Sequence, residues 1–144
     1  MPLRLQKQAF RHRPDEGLYG DCHRTCYAVI LDVDRDEVPH FYHPDTDTAQ
    51  AFHDFHRDRG LEVIDVAFPG ELPLVDVLNT LANLNPGRPL ILGGTSANGV
   101  NHSVVALDGE VAWDPSLDDS GIVGPCDDGL YWVTYLVGVL PTYE

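Results

Sequence analysis

Residues 21–31 read DCHRTCYAVIL, and the rest of the chain is best read outward from this stretch. Cys22, Cys26, Val29 and Ile30 fall on one stripe of a 3.6-residue period, which predicts a helix over 22–31. Asp21 occupies the N-cap position, where a short acceptor side chain is favoured. Cys22 then stands at the helix N-terminus, where unpaired N–H groups and the positive end of the helix dipole favour thiolate, the reactive form of cysteine. The approach GLYGDC, with Gly17 and Gly20, suits a turn that feeds an exposed nucleophile. Cys26 lies one turn later on the apolar stripe and is expected to face the core. Most free cysteines are small buried residues, so reactivity at Cys22 requires a partner from elsewhere in the chain.

Upstream, residues 3–10 (LRLQKQAF) alternate weakly and predict a short strand, followed by the polar loop RHRPDEGLYG. Downstream, DVDRDEVPHFYHP is a turn-rich connection to a second helix over 47–59 that stops at Gly60. Residues 62–68 read as a strand. Residues 73–84 read as a third helix, with Pro73 in its first turn and Leu74, Val77, Leu78, Leu81 and Leu84 on one side. RPLILGG fits a buried strand, HSVVALDGEVAWDP a β-hairpin about Asp108–Gly109, and LYWVTYLVGV a last strand. Helices come mostly first and antiparallel strands mostly last, which is an α+β order. The 144 residues are expected to form one domain, 1–144.

The hairpin supplies the partner. His102 opens its first strand and Asp114 closes its second. A two-residue turn at Asp108–Gly109 pairs Ser103 with Asp114 and sends His102 and Asp114 to opposite faces. A three-residue loop, Leu107–Asp108–Gly109, with Gly109 left-handed as a bulge, pairs Ala106 with Glu110 and sets His102 opposite Asp114. The second register lets the carboxylate orient the imidazole for a Cys22–His102 pair. Cys126, in the acidic loop GPCDDG, is a weaker nucleophile because neighbouring carboxylates oppose its ionisation.

Charge narrows the partners. Nine basic residues stand against twenty-three acidic ones, a formal net charge of −14. Such a surface repels phosphate backbones and anionic lipid, so neither nucleic acid nor a membrane is an expected partner. No apolar run approaches the roughly 20 residues of a membrane span, and MPLRLQKQAFRHRP has no apolar core of a secretory signal. Three cysteines, an odd and small number, suit free thiols in a cytoplasmic protein.

Gly20–Asp21–Cys22–His23–Arg24–Thr25–Cys26 resembles the nucleophile helix of papain-like cysteine peptidases, nearest the bacteriocin-leader (double-glycine) branch, which also carries a second Cys four residues on. His102–Ser103–Val104–Val105 and Val111–Ala112–Trp113–Asp114–Pro115 resemble that branch's His strand and its Asp-Pro strand. Glu37–Val38–Pro39–His40–Phe41 and the strand from Gly129 to Val133 are similar to segments of small uncharacterised papain-like proteins of phages and bacteria. The resemblance implies a papain-like fold, an N-terminal nucleophile helix packed on a C-terminal antiparallel sheet. It implies Cys22 as nucleophile, His102 as general base and acid, and Asp114 as the orienting carboxylate. It also implies a glutamine that holds the oxyanion. The leader peptidases place it six residues before the Cys, where this chain has Glu16, so Gln8 becomes the candidate across an enlarged loop. His23 stands where those peptidases carry glycine, and double-glycine specificity is not carried over.

The expected activity is hydrolysis of a peptide or isopeptide amide in a peptide or protein substrate, with no cofactor and no metal. An acyl- or amine-transferring enzyme and a catalytically idle binding module remain open on the same fold. A zinc protein remains open through His40, His43, His53 and His56 with Cys22 and Cys26, although the spacings fit no standard finger. GGTSANG lacks the Lys and following helix of a phosphate cradle and reads as a mobile loop beside His102. Asp118, Asp119, Asp127 and Asp128 would favour a basic substrate group if they line the cleft. Trp113, Tyr131 and Trp132 read as core and sheet residues.

Overall fold

The computed structural model describes residues 4–139. Its helices are α1 (Cys22–Leu31), α2 (Thr48–Arg59) and α3 (Leu74–Leu84). Its strands are β1 (Leu61–Pro69), β2 (Leu90–Thr95), β3 (Asn101–Leu107), β4 (Glu110–Trp113) and β5 (Leu130–Gly138). All five strands join one antiparallel sheet in the order β1-β5-β2-β3-β4, so the fold is α+β. The last strand lies inside the sheet, between β1 and β2, and β1 precedes α3 in the chain; the sheet is therefore not wholly C-terminal.

Alternation along the strands divides the core. Ile91 and Val105 face α1 and pack with Cys26, Tyr27, Ala28 and Val29, with Phe55 of α2 closing the layer. Leu90, Leu92, Val104, Ala106, Tyr131 and Val133 face the other way and pack with Val77, Leu78 and Leu81 of α3. Fully burying a side chain of this size is worth about 1.5–3 kcal/mol, so each layer anchors its helix firmly to the sheet. Leu84, expected on the buried side of α3, is the last residue of that helix and is 72% exposed. The helix ends follow local rules: the Asp47 carboxylate accepts the Gln50 amide, and Gly60 closes α2 in the left-handed conformation.

Two expectations are corrected. Residues 4–10 form no strand; they run as an extended strap held by side chains and by one backbone bond, Gln8 N–H to the Pro115 carbonyl at 2.9 Å. The hairpin turn has two residues, not three. Leu107 pairs with Glu110, and Asp108 (φ 52°) and Gly109 (φ 87°) both take the left-handed region that a tight hairpin of this type needs. The parity change comes one pair later: Ala106 faces Val111 but Val105 faces Trp113, so Ala112 is the extra residue of a β-bulge. A Cβ on Gly109 would also meet Asn79 Oδ1 of α3 at 2.8 Å. Gly109→Ala is therefore expected to lower stability by about 1–2 kcal/mol, read as a lower urea midpoint at unchanged slope.

Among the described residues no helix is long and apolar enough to cross a membrane.

Candidate active site

Cys22 is the first residue of α1 and is partly exposed. Asp21 precedes it, but its carboxylate does not cap the helix. The side chain turns back and accepts the Ala9 and Phe10 amides at 2.9 Å each, and the Arg24 guanidinium at 3.0 Å. The carboxylate is thereby spent on the strap rather than on the amides of the first helical turn. Those amides remain the natural place for a developing negative charge.

The strap carries Gln8 to the same place. The Asp21 carboxylate grips the two amides after Gln8, and the Pro115 carbonyl accepts the Gln8 amide itself. Lys7 Nζ donates to the Asp114 and Ser116 carbonyls at 3.0 and 2.8 Å. Trp113 Nε1 donates to the Gln6 carbonyl. The Gln8 side chain is 7% exposed, donates from Nε2 to the Phe10 carbonyl, and leaves Oε1 buried without a partner. One Nε2 hydrogen stays available beyond that bond.

His102 Nε2 and Asp114 Oδ1 lie 2.7 Å apart. The bulge at Ala112 makes this possible, since without it the two side chains would leave opposite faces of the hairpin. Asp114 is itself held in place. Ser116 N–H donates to Oδ1 at 2.9 Å and Gly121 N–H to Oδ2 at 2.7 Å. Burial alone would raise its pKa, but the bonds to His102, Ser116 and Gly121 outweigh burial and hold the carboxyl below its ordinary value. Burial alone would also lower the pKa of His102. Hydrogen bonds to Asp114 and to Cys22, with their negative charge, outweigh it and push the imidazole up to about 9. Nε2 is committed to Asp114, which leaves Nδ1 for the sulfur.

Cys22, His102 and Gln8 line one open cleft of about 970 Å³, in the size range of a ligand or peptide site. The structure thus gathers the four residues singled out by sequence. It also adds residues to the cleft that sequence reasoning placed elsewhere. Trp132, read as a core and sheet residue, lies in β5 but is 39% exposed and lines the cleft, its indole N–H held by Asp128 Oδ2 at 2.7 Å. Cys126 lines the cleft too, yet burial and then Asp128 and Asp127 push its thiol up. Cys26 is fully buried in the α1 layer, and burial raises its thiol far above the ordinary range. Of the GGTSANG stretch, Gly93–Thr95 belong to β2, and the loop after them borders the cleft, tied down by Gly99 N–H to the Ser96 carbonyl and Ala97 N–H to the Ser120 carbonyl.

Two contacts beside the site had no clear signal in the sequence. His23 Nδ1 shares a hydrogen bond with Ser103 Oγ at 3.0 Å, and Asp21 holds the strap. A third was legible: Asp-Pro-Ser at 114–116 is an Asx-turn pattern, and Ser116 N–H to Asp114 is that turn. The histidine pairs do not converge. His53 is exposed, while buried His56 uses Nε2 on Tyr27 Oη and Nδ1 on the Phe52 carbonyl. Among the described residues no three His, Cys, Asp or Glu side chains are placed together to hold a metal ion.

No protein-family model, curated protein or solved structure matches this chain.

Proposed function

We propose that this protein is a papain-like thiol hydrolase that cleaves a peptide or isopeptide amide. The observation that carries the reading is the His102–Asp114 hydrogen bond at 2.7 Å, made by an imidazole that lines the same cleft as Cys22, the first residue of a helix. The Cys22 sulfur attacks the amide carbonyl carbon and forms a tetrahedral oxyanion. The Cys22 amide N–H and Gln8 Nε2 are the donors disposed to receive that oxygen. His102, protonated, gives its proton to the leaving amine as the C–N bond breaks, leaving a thioester on Cys22. Neutral His102 then takes a proton from water, which attacks the thioester and releases the acid. Asp114 holds the imidazole orientation through both halves and stabilises its charge.

A peptidyl vinyl sulfone tests this directly. The expected result is one adduct on Cys22 by mass spectrometry, absent in His102→Ala. Equal labelling of Cys126, or a folded protein that takes no label, overturns the reading; the second result favours a binding module. An acyl-enzyme that persists until an amine is added identifies a transferase instead.

The cleft lining includes Asp65, Asp118 and Asp127, set within a chain of −14. Lys-rich peptides are therefore expected to be cleaved several-fold faster than Glu-rich ones at low ionic strength, the difference shrinking as salt is added. Arg11 and Arg13 also line the cleft, but each has an acidic neighbour, Asp118 at 3.4 Å and Glu16 at 3.6 Å. Equal rates for the two peptides would remove the charge preference.

A further inference from the structure

The residue after the nucleophile and the residue after the base touch each other. His23 follows Cys22, Ser103 follows His102, and His23 Nδ1 and Ser103 Oγ share a hydrogen bond of 3.0 Å across 80 positions of sequence. Apart from the Cys22–His102 contact itself, this is the one polar side-chain link between α1 and β3 among the described residues. The His23 ring is wedged between Tyr27 and Tyr42, with centroid separations of 5.4 and 5.5 Å. Ser103 shares strand parity with Val105, which packs into the α1 layer.

We propose that the His23–Ser103 contact is a positioning brace that ties the first turn of α1 to the start of β3 and so sets the separation of the Cys22 sulfur from the His102 imidazole. The proposal rests on reading Cys22 and His102 as the catalytic pair. Both residues act through their chain neighbours, one residue removed from the reacting groups. The apolar packing of α1 fixes the layer spacing but leaves the helix free to slide or rotate slightly along the sheet. A hydrogen bond at the site end resists that motion, and a misplacement near 1 Å is enough to cost a reaction about 100-fold. The charge state suits the task. Burial pushes the His23 imidazole down to about 4, against the opposing pull of Asp65, so the ring is neutral at neutral pH and adds no like charge beside protonated His102. The groups facing the ring are Tyr27 on α1 itself and Ser103, Tyr42, Asp65 and His56 from other parts of the chain.

The test is the pH profile of Cys22 alkylation by iodoacetamide, read by mass spectrometry in wild type, His102→Ala, His23→Ala, Ser103→Ala, the double variant and His23→Asn. Ser103→Ala and His23→Ala are each expected to slow the acid-side reaction about tenfold. The double variant should slow it no further than the slower single one, because both remove the same bond. His23→Asn keeps a polar atom near the place of Nδ1 and should recover most of the rate. With a model amide, kcat should fall while KM holds. Single variants that keep the wild-type profile, while His102→Ala loses it, overturn the brace and leave the catalytic pair standing. A wild-type profile indifferent to His102→Ala removes the catalytic reading and the brace with it. If His23→Ala unfolds, which exposure of Cys26 to alkylation would reveal, Ser103→Ala and His23→Asn decide the matter by the same criteria.

Discussion

Replacing His102 with alanine is expected to lower amide hydrolysis by about 10²–10⁴-fold, the usual worth of a positioned acid–base group. It should also slow the alkylation of Cys22, because a thiol without a cationic partner is a weaker nucleophile. The pH dependence has a definite sign. The imidazole is pushed up to about 9, so the proton that the leaving amine needs is held through neutrality. Hydrolysis should fall as pH rises through that value. Asp114→Asn removes the largest of the influences that raise it, the side-chain hydrogen bond, and the alkaline limb should move to lower pH. Stability follows the same direction. A group of ordinary pKa 6.5 when unfolded and about 9 when folded contributes fully below the first value and loses its contribution as pH rises through the second. The full effect is on the order of 3 kcal/mol. The urea midpoint of wild type should therefore decline between these pH values more steeply than that of His102→Ala. Parallel curves would show that the imidazole gains nothing from folding.

The second large effect is structural. Asp21 is 1% exposed and accepts hydrogen bonds from Ala9, Phe10 and Arg24. Asp21→Ala leaves two part-buried strap amides without their acceptor, and leaves the largely buried Arg24 guanidinium only exposed Asp36 at 3.7 Å. Breaking one side of a buried, hydrogen-bonded ion pair typically costs about 3–5 kcal/mol, and a loss of that size in urea unfolding is expected here. The activity should fall by more than stability alone explains, because the strap carries Gln8 into the cleft. Asp21→Asn keeps an acceptor but loses the charge, and should sit between wild type and alanine in both measurements. An alanine variant within about 0.5 kcal/mol of wild type, the range of an ordinary surface substitution, would show that the strap is held without Asp21.

Local chemistry was enough for much of the fold. The 3.6-residue stripe from Cys22 to Ile30 predicted α1 over its observed range, Cys22–Leu31. Gly60 ended α2, and Asp108–Gly109 made the hairpin turn. These features depend on neighbours three or four residues away, or on the one residue type that tolerates a given φ, and such rules can be read from sequence. The juxtaposition of His102 and Asp114 was also expected, but by the wrong device. The extra residue was assigned to the turn, whereas it lies at Ala112 in the strand. Either placement restores the same parity, so the side-chain pairing alone could not tell them apart.

The sequence by itself determined the α+β order of elements and the helix that presents Cys22, whereas the bulge at Ala112 decided the parity that lets a carboxylate meet an imidazole on the hairpin. Only the tertiary structure decided what the polar side chains do between elements. Asp21 looked like a helix cap and instead grips Ala9 and Phe10. Residues 4–10 looked like a strand and instead form a strap clamped at Pro115. The reason is common to both. An acidic side chain satisfies any nearby donor equally well, and a weakly alternating segment becomes a strand only if an edge is free to pair with it. The donor or edge that wins comes from packing distant parts of the chain, and no local pattern records it.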